Sequence, residues 1–340
     1  MAGEMKPGKI PAELLRSRVL AYTGVRRDDV LVHAALGEDS AVIDFGEEVC
    51  VLSSDPITGA GQEVGWFAVH IACNDVASNG ATPVGVLLTI LAPPDSSLDA
   101  VEEVMTSADR ACRELGIEIL GGHTEVTADL PALIVSTTAV GRAPKDKLVT
   151  SAGVLPGDDI VLTKGAGLEG TAILAMDFAE RLRGRVEEDI LERAAGLLRR
   201  LSVVPEALVA RELGVHAMHD VTEGGVLGAV YEMAEAAGVG VEIWREAIPL
   251  LPETGVICQA LEVDPLRLIG SGAMLMATDD GRRLVQELER AGIEARVIGR
   301  ALGSTYRVLL PRPGASSSEA KAIEPPAGDE LWRLLEALKE

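Results

Sequence analysis

The sequence predicts an α+β protein with two domains. Helical and strand-like periodicities interleave along the first half of the chain, which favours an α/β or α+β arrangement. The pattern restarts after a polar connection containing Pro, Gly and charged residues at 143–156. With 340 residues, of which 47% are hydrophobic, the chain can bury a full core and exceeds the usual size of one domain.

The first half is predicted to contain two helices and several strands. Residues 99–115 place apolar side chains at helical spacing with charged ones between them, so an amphipathic helix is expected there. An apolar run at 66–73 also resembles a helix and leads directly into Asn74 and Asp75. Runs rich in apolar and β-branched residues predict strands at 49–53, 84–91, 117–120 and 132–140.

The second half is predicted to alternate strands and helices. Strands are expected at residues 159–164, 239–243, 274–277, 295–299 and 306–310. Helices are expected at residues 171–182, 187–201, 226–237 and 329–338. The predicted units are therefore an N-terminal segment (1–35), an N-terminal domain (36–150), a C-terminal domain (151–312), and a linker with a terminal helix (313–340).

The charge balance excludes several classes of partner. The chain has 31 Lys and Arg residues against 53 Asp and Glu residues, a net charge of −22, which disfavours a nucleic-acid groove or an anionic membrane surface. No run approaches the roughly 18 apolar residues of a membrane span, and residues 1–11 lack the apolar core of a signal peptide. The widely spaced cysteines indicate reduced thiols. We therefore expect a cytoplasmic protein with neither nucleic acid nor membrane as partner.

Carboxylates recur where apolar runs end. Four of them stand at or just beyond such ends: Asp39, Asp55, Asp75 and Glu125. Each alone is an ordinary turn residue. Together they predict hard divalent cations held through oxygen ligands, and Mg²⁺ held in this way usually carries nucleotide phosphates.

Two glycine-rich segments have the form of nucleotide-binding motifs. Residues 3–9 fit the first part of a P-loop, but Ile10 replaces the Ser or Thr that holds Mg²⁺ and no strand precedes it. Residues 165–170 fit the pattern GxGxxG, but a helical pattern follows where a dinucleotide fold needs a second strand with an acidic residue. A structural turn is the favoured interpretation of residues 165–170.

Two further features leave alternatives open. His216 and His219 are three residues apart, a spacing compatible with a metal site on a helix, but no Glu or Cys nearby completes a zinc set. Asp220 and Thr222 stand just before a predicted helix. Thr222 can cap that helix, and the helix N-terminus can bind an anion. These two interpretations of Thr222 are compatible with each other.

A family resemblance rests on motifs that occur in order along the chain. They are residues 37–42, 54–55, 74–83, 121–124, 219–225 and 270–275. The set resembles the superfamily of aminoimidazole ribonucleotide synthetase, which also holds formylglycinamidine ribonucleotide synthetase, thiamine-monophosphate kinase, selenophosphate synthetase and the HypE hydrogenase maturation factor. The resemblance covers about residues 9 to 310. It implies a PurM-like two-domain α+β fold, a homodimer whose N-terminal domains form a β-barrel, and ATP sites at that interface.

The resemblance also implies which residues hold the metal and perform the chemistry. The implied Mg²⁺ ligands are Asp39, Asp55 and Asp75, the last also being catalytic. His123 stands where relatives often carry Asp or Glu, so Glu125 is a substitute ligand. His123 itself could serve as a general acid or base near neutral pH.

The remaining predicted site residues would bind the nucleotide. By the resemblance, Asn74 would orient a phosphate or a ligand, and Asp220 would contribute from the C-terminal domain. Thr124 and Thr222 stand within the matched motifs and are assigned to the cofactor with them. Lys164 is a cation that could offset the charge of a transferring phosphoryl group.

The resemblance implies an enzyme that uses ATP and Mg²⁺ to phosphorylate an oxygen; in ligase-like members, the phosphorylated amide or carbamoyl oxygen then leaves. The pattern around residues 74 and 121 is most similar to HypE, which dehydrates a thiocarboxamide on its own C-terminal cysteine. Residues 334–340 contain no cysteine. The expected acceptor is therefore a separate small molecule or protein, for example a metallocentre maturation protein.

Two alternative functions stay open. One is a non-catalytic nucleotide-binding scaffold in metallocentre assembly, which the missing cysteine tail and His123 favour. The other is a kinase of a small alcohol, like thiamine-monophosphate kinase. The clustered carboxylates favour an enzyme over a scaffold, because a scaffold has no use for grouped charges that are costly to bury.

Overall fold

The computed structural model describes residues 12–38, 40–57 and 63–337. The N-terminal part forms a six-stranded sheet with the strand order β1-β2-β3-β6-β4-β5. Its strands are β1 (Val30–Val32), β2 (Ala41–Asp44), β3 (Glu48–Ile57), β4 (Thr82–Ala92), β5 (Glu118–Val126) and β6 (Ile134–Pro144). Neighbouring strands are antiparallel except β4 and β5, which are parallel and are connected through a helix.

The C-terminal part forms a seven-stranded sheet with the order β13-β12-β9-β11-β7-β10-β8. Its strands are β7 (Asp159–Thr163), β8 (Ala217–Asp220), β9 (Gly240–Trp244), β10 (Met274–Thr278), β11 (Ala295–Leu302), β12 (Arg307–Leu310) and β13 (Lys321–Ala322). β8 and β10 are buried along their whole length. The alternation of strands and helices thus gives mixed layers in both halves, as predicted.

Helices cover both sheets. In chain order they are α1 (Ala12–Leu14), α2 (Val64–Ser78), α3 (Leu98–Leu115), α4 (Leu168–Asp177), α5 (Ala179–Leu182), α6 (Glu188–Ala195), α7 (Val204–Leu213), α8 (Gly225–Ala237), α9 (Pro252–Leu261), α10 (Gly281–Arg290) and α11 (Glu330–Ala337). Among the described residues, no helix is long and apolar enough to cross a membrane.

α2 is the central helix of the N-terminal part. It is apolar nearly all round and almost wholly buried, as expected for a helix with protein on every side. Amphipathic α3 packs against it, and Gly65 allows the close approach: a Cβ at Gly65 would lie 2.0 Å from Val104 O. The apolar core around α2 continues into the C-terminal part through Leu174 on α4 and Ile257 on α9. One hydrophobic cluster therefore spans both halves, and the C-terminal part has further clusters of its own.

The N-terminal sheet has two different faces. Val86, Leu88 and Ile90 of β4 are buried on the face toward α2, which we call the inner face. The alternate residues Leu87, Thr89 and Leu91 stay exposed or half-buried on the outer face. In each strand, residues two apart share a face, so the register assigns every residue of β3, β5 and β6 to one of these two faces.

Several predicted elements differ from the observed ones in extent. The helix predicted at 187–201 ends at Ala195 and continues as the 3₁₀ turn Gly196–Arg200. The helix predicted at 171–182 begins at Leu168 and is interrupted at Phe178. The strand predicted at 117–120 runs to Val126, because parallel pairing with β4 supports residues that have weak strand propensity.

The cysteines agree with the prediction of reduced thiols. No disulfide joins them, and three of the four are buried. Burial raises the pKa of the Cys112 thiol to about 11 and that of Cys258 to about 12, which makes both poor nucleophiles. The P-loop-like residues 3–9 lie outside the described residues.

Candidate active site

Three of the predicted acidic residues lie where the two halves of the chain meet. Asp55 is near the end of β3, Asp75 lies in the last turn of α2, and Asp220 is the last residue of β8. α2 connects them, since it contacts both β3 and β8. The junction of the two domains is therefore the candidate active site.

Asp55 and Asp75 share a hydroxyl group. Ser53 Oγ lies 2.5 Å from Asp75 Oδ2 and 3.4 Å from Asp55 Oδ2. Ser53 and Asp55 are two residues apart on β3 and therefore point to the same face, toward α2. Thr137 pairs directly with Asp55 across β3 and β6, and its buried hydroxyl has no hydrogen-bond partner among the described residues. This corner of the inner face thus offers several oxygen atoms to a ligand.

These oxygen groups fit a Mg²⁺ ion that carries phosphates. In the described part of the chain, no group of three or more His, Cys, Asp or Glu side chains is arranged to hold a metal ion by itself. Mg²⁺ does not require such a group, because one or two carboxylates together with waters and substrate phosphates usually hold it. Asp39 lies outside the described residues. Asp55 and Asp75 are therefore the two predicted ligands that the structure brings together.

Asp220 approaches the same helix from the C-terminal domain. Ser78 Oγ lies 3.1 Å from Asp220 Oδ1 and 2.9 Å from the main-chain oxygen of Asn74. Asp75 and Ser78 are three residues apart and are neighbours on the helix surface. The Asp75 carboxylate and the Asp220 carboxylate are thus presented along the end of one helix.

Gly37 contacts the C-terminal domain, and Ser40 is buried. Gly37 packs closely on α8, since a Cβ there would lie 3.0 Å from Glu232 O. Its backbone φ of 81° is also in the left-handed region that favours glycine. Ser40 is buried, and its hydroxyl has no hydrogen-bond partner among the residues that the structure describes. Gly37 therefore contacts the C-terminal domain directly.

Asn74 is bound to protein rather than open to a ligand. Its Nδ2 donates to Leu201 O at 2.8 Å, and its Oδ1 accepts from the amide N–H of Val203 at 2.9 Å. The side chain is fully buried. This geometry does not support the prediction that the Asn74 amide orients a phosphate.

Lys164 is also used within the protein. Its Nζ lies 2.7 Å from Glu206 Oε1 and donates to Ser202 O at 2.6 Å and Arg200 O at 3.1 Å. Burial lowers the pKa of Lys164, and the Glu206 carboxylate partly opposes that change. The ammonium group therefore neutralises a buried carboxylate and binds main-chain oxygens, which leaves it poorly placed to meet a phosphate.

His123 and Glu125 lie apart from the carboxylate corner. The register pairs His123 with Thr89 and Glu125 with Leu91, both of which belong to the outer face. His123 Nε2 and Glu125 Oε2 are 3.0 Å apart, and both side chains are largely exposed. β6 and β4 separate their strand from β3, which carries Asp55 on the inner face. Within one chain, Glu125 therefore does not join the predicted set of metal ligands.

The two predicted threonines occupy different places. Thr124 pairs with Ile90 on the inner face of β5, at the exposed edge of the sheet. Thr222 follows Asp220 in the loop before α8, next to the candidate site. Helix α8 begins at Gly225 and its N-cap position is Gly224, so the prediction that Thr222 is the capping residue is wrong.

A carboxylate from the chain itself lies at the N-terminus of α8. Asp329 Oδ2 accepts the amide N–H of Gly224 at 2.7 Å, and its Oδ1 accepts that of Leu331 at 2.8 Å. Burial raises the pKa of Asp329 to about 6. The anion predicted for this helix end is thus a side chain more than 100 residues later. The sequence signal was present, because an Asp before a short helix is a common N-cap.

The glycine-rich segment 165–170 forms a turn into α4, as predicted. Gly165 has a φ of 149°, and a Cβ there would lie 2.9 Å from Pro249 O. Glu169 is fully buried on α4, and its Oε2 accepts the amide N–H of Ser271 at 3.3 Å. Burial raises the pKa of Glu169 to about 7. Nothing in this arrangement resembles an open nucleotide site.

His216 and His219 do not form a metal pair. They stand on and just before strand β8 rather than on a helix, so their side chains diverge. His216 Nδ1 contacts Asp158 Oδ1 at 2.9 Å, and His219 Nε2 contacts Glu232 Oε2 at 3.3 Å. The helical metal-site interpretation of this pair is wrong, because it rested on the wrong secondary structure.

Comparison with known proteins confirms the family resemblance. The family models of AIR synthase related protein match residues 37–143 for the N-terminal domain and residues 156–309 for the C-terminal domain. A hydrogenase expression/formation protein of Methanocaldococcus jannaschii is 26% identical over 336 residues, which cover 96% of this chain and 97% of the relative. The carbamoyl dehydratase HypE of Cupriavidus necator is 30% identical over 253 residues, covering 73% of this chain and 70% of the relative.

Solved structures show the same fold. The structure of hydrogenase maturation protein HypE in complex with ATP has a TM-score of 0.67 to this chain, covers 94% of it and 95% of its own length, and is 22% identical. At that identity the likeness establishes the fold alone. Both family models match in the order that the fold requires, and a HypE relative is similar over more than two thirds of both chains. The protein therefore belongs to the AIR synthase related family, among relatives of the HypE type.

Proposed function

We propose that this protein is an ATP- and Mg²⁺-dependent enzyme that phosphorylates an amide or carbamoyl oxygen on a separate acceptor and so dehydrates it. The γ-phosphoryl group of ATP would be transferred to that oxygen. Departure of the oxygen as phosphate, with loss of both N–H protons, would leave a nitrile together with ADP. Two features of the relatives support this: one is named a carbamoyl dehydratase, and a solved HypE binds ATP.

The observation that carries the proposal is the corner formed by Asp55, Ser53 and Asp75. Two carboxylates and a hydroxyl lie together at the end of a buried helix. Asp55 and Asp75 would hold Mg²⁺, and the family resemblance adds Asp39 as a further ligand. The ion would supply charge neutralisation to the phosphates.

Asp220 would act on the acceptor side of the site. It comes from the C-terminal domain, ends a buried strand and lies beside Ser78. A carboxylate in this place can accept a hydrogen bond, and then the proton, from the N–H of an amide acceptor. Thr222, two residues later, would add a hydroxyl to the same side of the site.

The homodimer belongs to the same proposal. The outer face of the N-terminal sheet exposes Leu87, and Leu52, Leu91, Ile134 and Val140 are only half-buried there. Such a face of apolar residues is suited to burial against a second copy. His123, Thr124 and Glu125 lie on the strand that borders this face, so a catalytic or binding role for them would be exerted at the dimer interface.

The test is an acceptor assay with two candidate compounds. ADP and phosphate would be measured with ATP and Mg²⁺ in the presence of a peptide that carries an S-carbamoylated cysteine, or of thiamine monophosphate. We expect ADP formation with the peptide and a loss of one water from its mass. Phosphorylation of thiamine monophosphate would instead support the kinase alternative, and ATP binding without turnover on either compound would support the scaffold.

A further inference from the structure

A short stretch of main chain at the domain junction is bound by side chains of α2 and by Lys164. We call residues 198–203 of the C-terminal domain, together with the side chains that bind them, the interdomain seam. Trp66 Nε1 on α2 donates to Leu198 O at 3.0 Å. Asn74 lies about two turns further along the same helix. Its side chain binds both Leu201 O and the N–H of Val203. Lys164 Nζ donates hydrogen bonds to two further main-chain oxygens of this stretch, Arg200 O and Ser202 O.

The composition of the seam follows from the backbone. Residues 198–203 leave a 3₁₀ turn and enter α7 without forming a strand, so their polar groups lack partners from a ladder. Buried main-chain groups need hydrogen bonds. Side chains from α2 and from the end of β7 provide them here. The seam therefore depends on a few side chains rather than on a repeated backbone pattern.

Asn74 has a property that the other seam side chains lack. Trp66 and Lys164 donate, whereas the planar amide of Asn74 donates to one residue and accepts from another. It thus binds the seam as a peptide group would. This pair of bonds restricts both the rotation of α2 about its axis and its position along that axis, relative to the C-terminal domain.

The position of Asn74 links the seam to the carboxylates. Asp75 is the next residue, and Ser78 stands one turn later, with its Oγ 2.9 Å from Asn74 O and 3.1 Å from Asp220 Oδ1. A shift of α2 along the seam would therefore move Asp75 relative to Asp220. Side chains on the sheet, such as Asp55, would not move with it.

We infer that Asn74 is a positioning residue: it holds Asp75 of the N-terminal domain in register with Asp220 of the C-terminal domain, and it does not bind the nucleotide itself. This inference deepens the proposed function and depends on it for the kinetic consequence. The geometric part, control of the seam by one amide, is independent of any activity.

The kinetic test compares two asparagines of the same helix end. Asn74→Ala removes both seam bonds, and Asn79→Ala removes the buried hydrogen bond from Asn79 Nδ2 to Val149 O, 2.9 Å long, outside the seam. We expect Asn74→Ala to lower the kcat for ADP formation by about 100-fold, the cost of a small misalignment of reacting groups, with little change in the KM for ATP. Asn79→Ala should change kcat by less than about threefold.

Hydrogen exchange tests the role of Asn74 in the seam without requiring enzymatic activity. In the full-length protein without nucleotide, Asn74→Ala should accelerate exchange in residues 198–203 and in the segment around Asp220, and Asn79→Ala should not. Trp66→Phe, which loses the bond to Leu198 but keeps an aromatic ring, should accelerate exchange at the start of the seam and spare kcat. It serves as the control for a general loss of stability.

These measurements distinguish a failure of the positioning role of Asn74 from a failure of the proposed enzymatic function. A raised KM for ATP with an unchanged kcat in Asn74→Ala would mean that the amide binds nucleotide, and would overturn the inference. Unchanged exchange at 198–203 would overturn it as well. If the wild type forms no ADP with any acceptor, the proposed function fails, and faster exchange at both 198–203 and Asp220 still supports control of the register by Asn74.

Discussion

Ser78 Oγ and Asp220 Oδ1 lie 3.1 Å apart, although the two residues belong to different domains and are 142 positions apart in sequence. The contact is made by the end of a buried helix and the end of a buried strand, which are both rigid elements. A site built on such elements holds its groups more closely than one built on loops. The domain junction can therefore carry chemistry that needs carboxylates from both sides.

The buried pair Lys164–Glu206 gives the first prediction. Lys164→Met should lower the free energy of unfolding by about 3–5 kcal/mol, because the buried carboxyl group of Glu206 would lose its ammonium partner. The double variant Lys164→Met/Glu206→Leu should recover most of that loss. Urea unfolding of both variants measures the difference.

The same double variant tests the nucleotide role first assigned to Lys164. If the lysine serves the fold alone, the double variant should bind ATP with Mg²⁺ as the wild type does. A stable double variant that no longer binds ATP would contradict the structural role and restore the prediction that Lys164 meets a phosphate.

Glu169 gives a prediction about pH. Its pKa is raised by burial from 4.5 to about 7, so the folded protein holds a proton there that the unfolded chain has released. That contribution to stability is present below pH 4.5 and is lost as the pH rises toward and through about 7. Glu169→Gln, which cannot ionise, should therefore be more stable than the wild type at pH 8.5, by up to about 3 kcal/mol, and similar to it at pH 4, below the pKa of the unfolded chain.

Glu253 is the matched control for that experiment. It contacts Arg193, and this partner holds the pKa of the Glu253 carboxyl below its usual range. Glu253→Gln should therefore be slightly less stable than the wild type at pH 8.5, the opposite sign. Chemical unfolding of both variants at the two pH values decides; a stability difference for Glu169→Gln that does not depend on pH would refute the buried proton.

The outer face of the N-terminal sheet gives a prediction about association. Leu87 is 40% exposed there, and a charge on this face would oppose burial against a second copy. Leu87→Glu should shift the protein from dimer to monomer, measured by size-exclusion chromatography with light scattering. Leu98→Glu, at an 86% exposed leucine that begins α3, should leave the mass unchanged. Equal masses for the wild type and Leu87→Glu would argue against this face as the interface.

The close contact between α2 and α3 predicts that adding one methyl group at Gly65 destabilises the protein. Gly65→Ala places a Cβ 2.0 Å from Val104 O, so α3 must move. A loss of about 1–3 kcal/mol or more of unfolding free energy is expected from such overpacking. Gly196→Ala meets nothing within 4 Å and should be close to neutral. Thermal unfolding of the two variants tests the pair.

Much of the fold was predictable because it depends on local periodicity and on motifs. The amphipathic pattern of α3 and the apolar run of β4 predict these elements to within two residues at each end, whereas β6 runs four residues beyond its predicted end. Chain length and the restart of the pattern after residues 143–156 predict the two domains, and the family resemblance implies the same arrangement. His216 and His219 show the limit of such patterns. Their spacing of three residues fits a metal pair only on a helix, but pairing with β10 makes this segment a strand.

The candidate site was predictable only in part. Asp55 and Asp75 are predicted because carboxylates recur where apolar runs end, and Asp220 is implied by the family resemblance; all three lie at the domain junction. Asn74 and Lys164 were assigned to the nucleotide because of their chemistry and their place in motifs. In the structure these two side chains contact main-chain groups and the Glu206 carboxylate, all distant in sequence. No local sequence pattern predicts such contacts.

The most direct test of the central claim is calorimetric titration of the protein with ATP in the presence and absence of Mg²⁺, for the wild type and for Asp75→Asn. We expect binding that requires Mg²⁺ and that is weaker by at least about tenfold in Asp75→Asn, with Asp109→Asn on the exposed side of α3 behaving as the wild type. Binding that is indifferent to Mg²⁺, or unchanged in Asp75→Asn, would contradict a metal–nucleotide site at this corner.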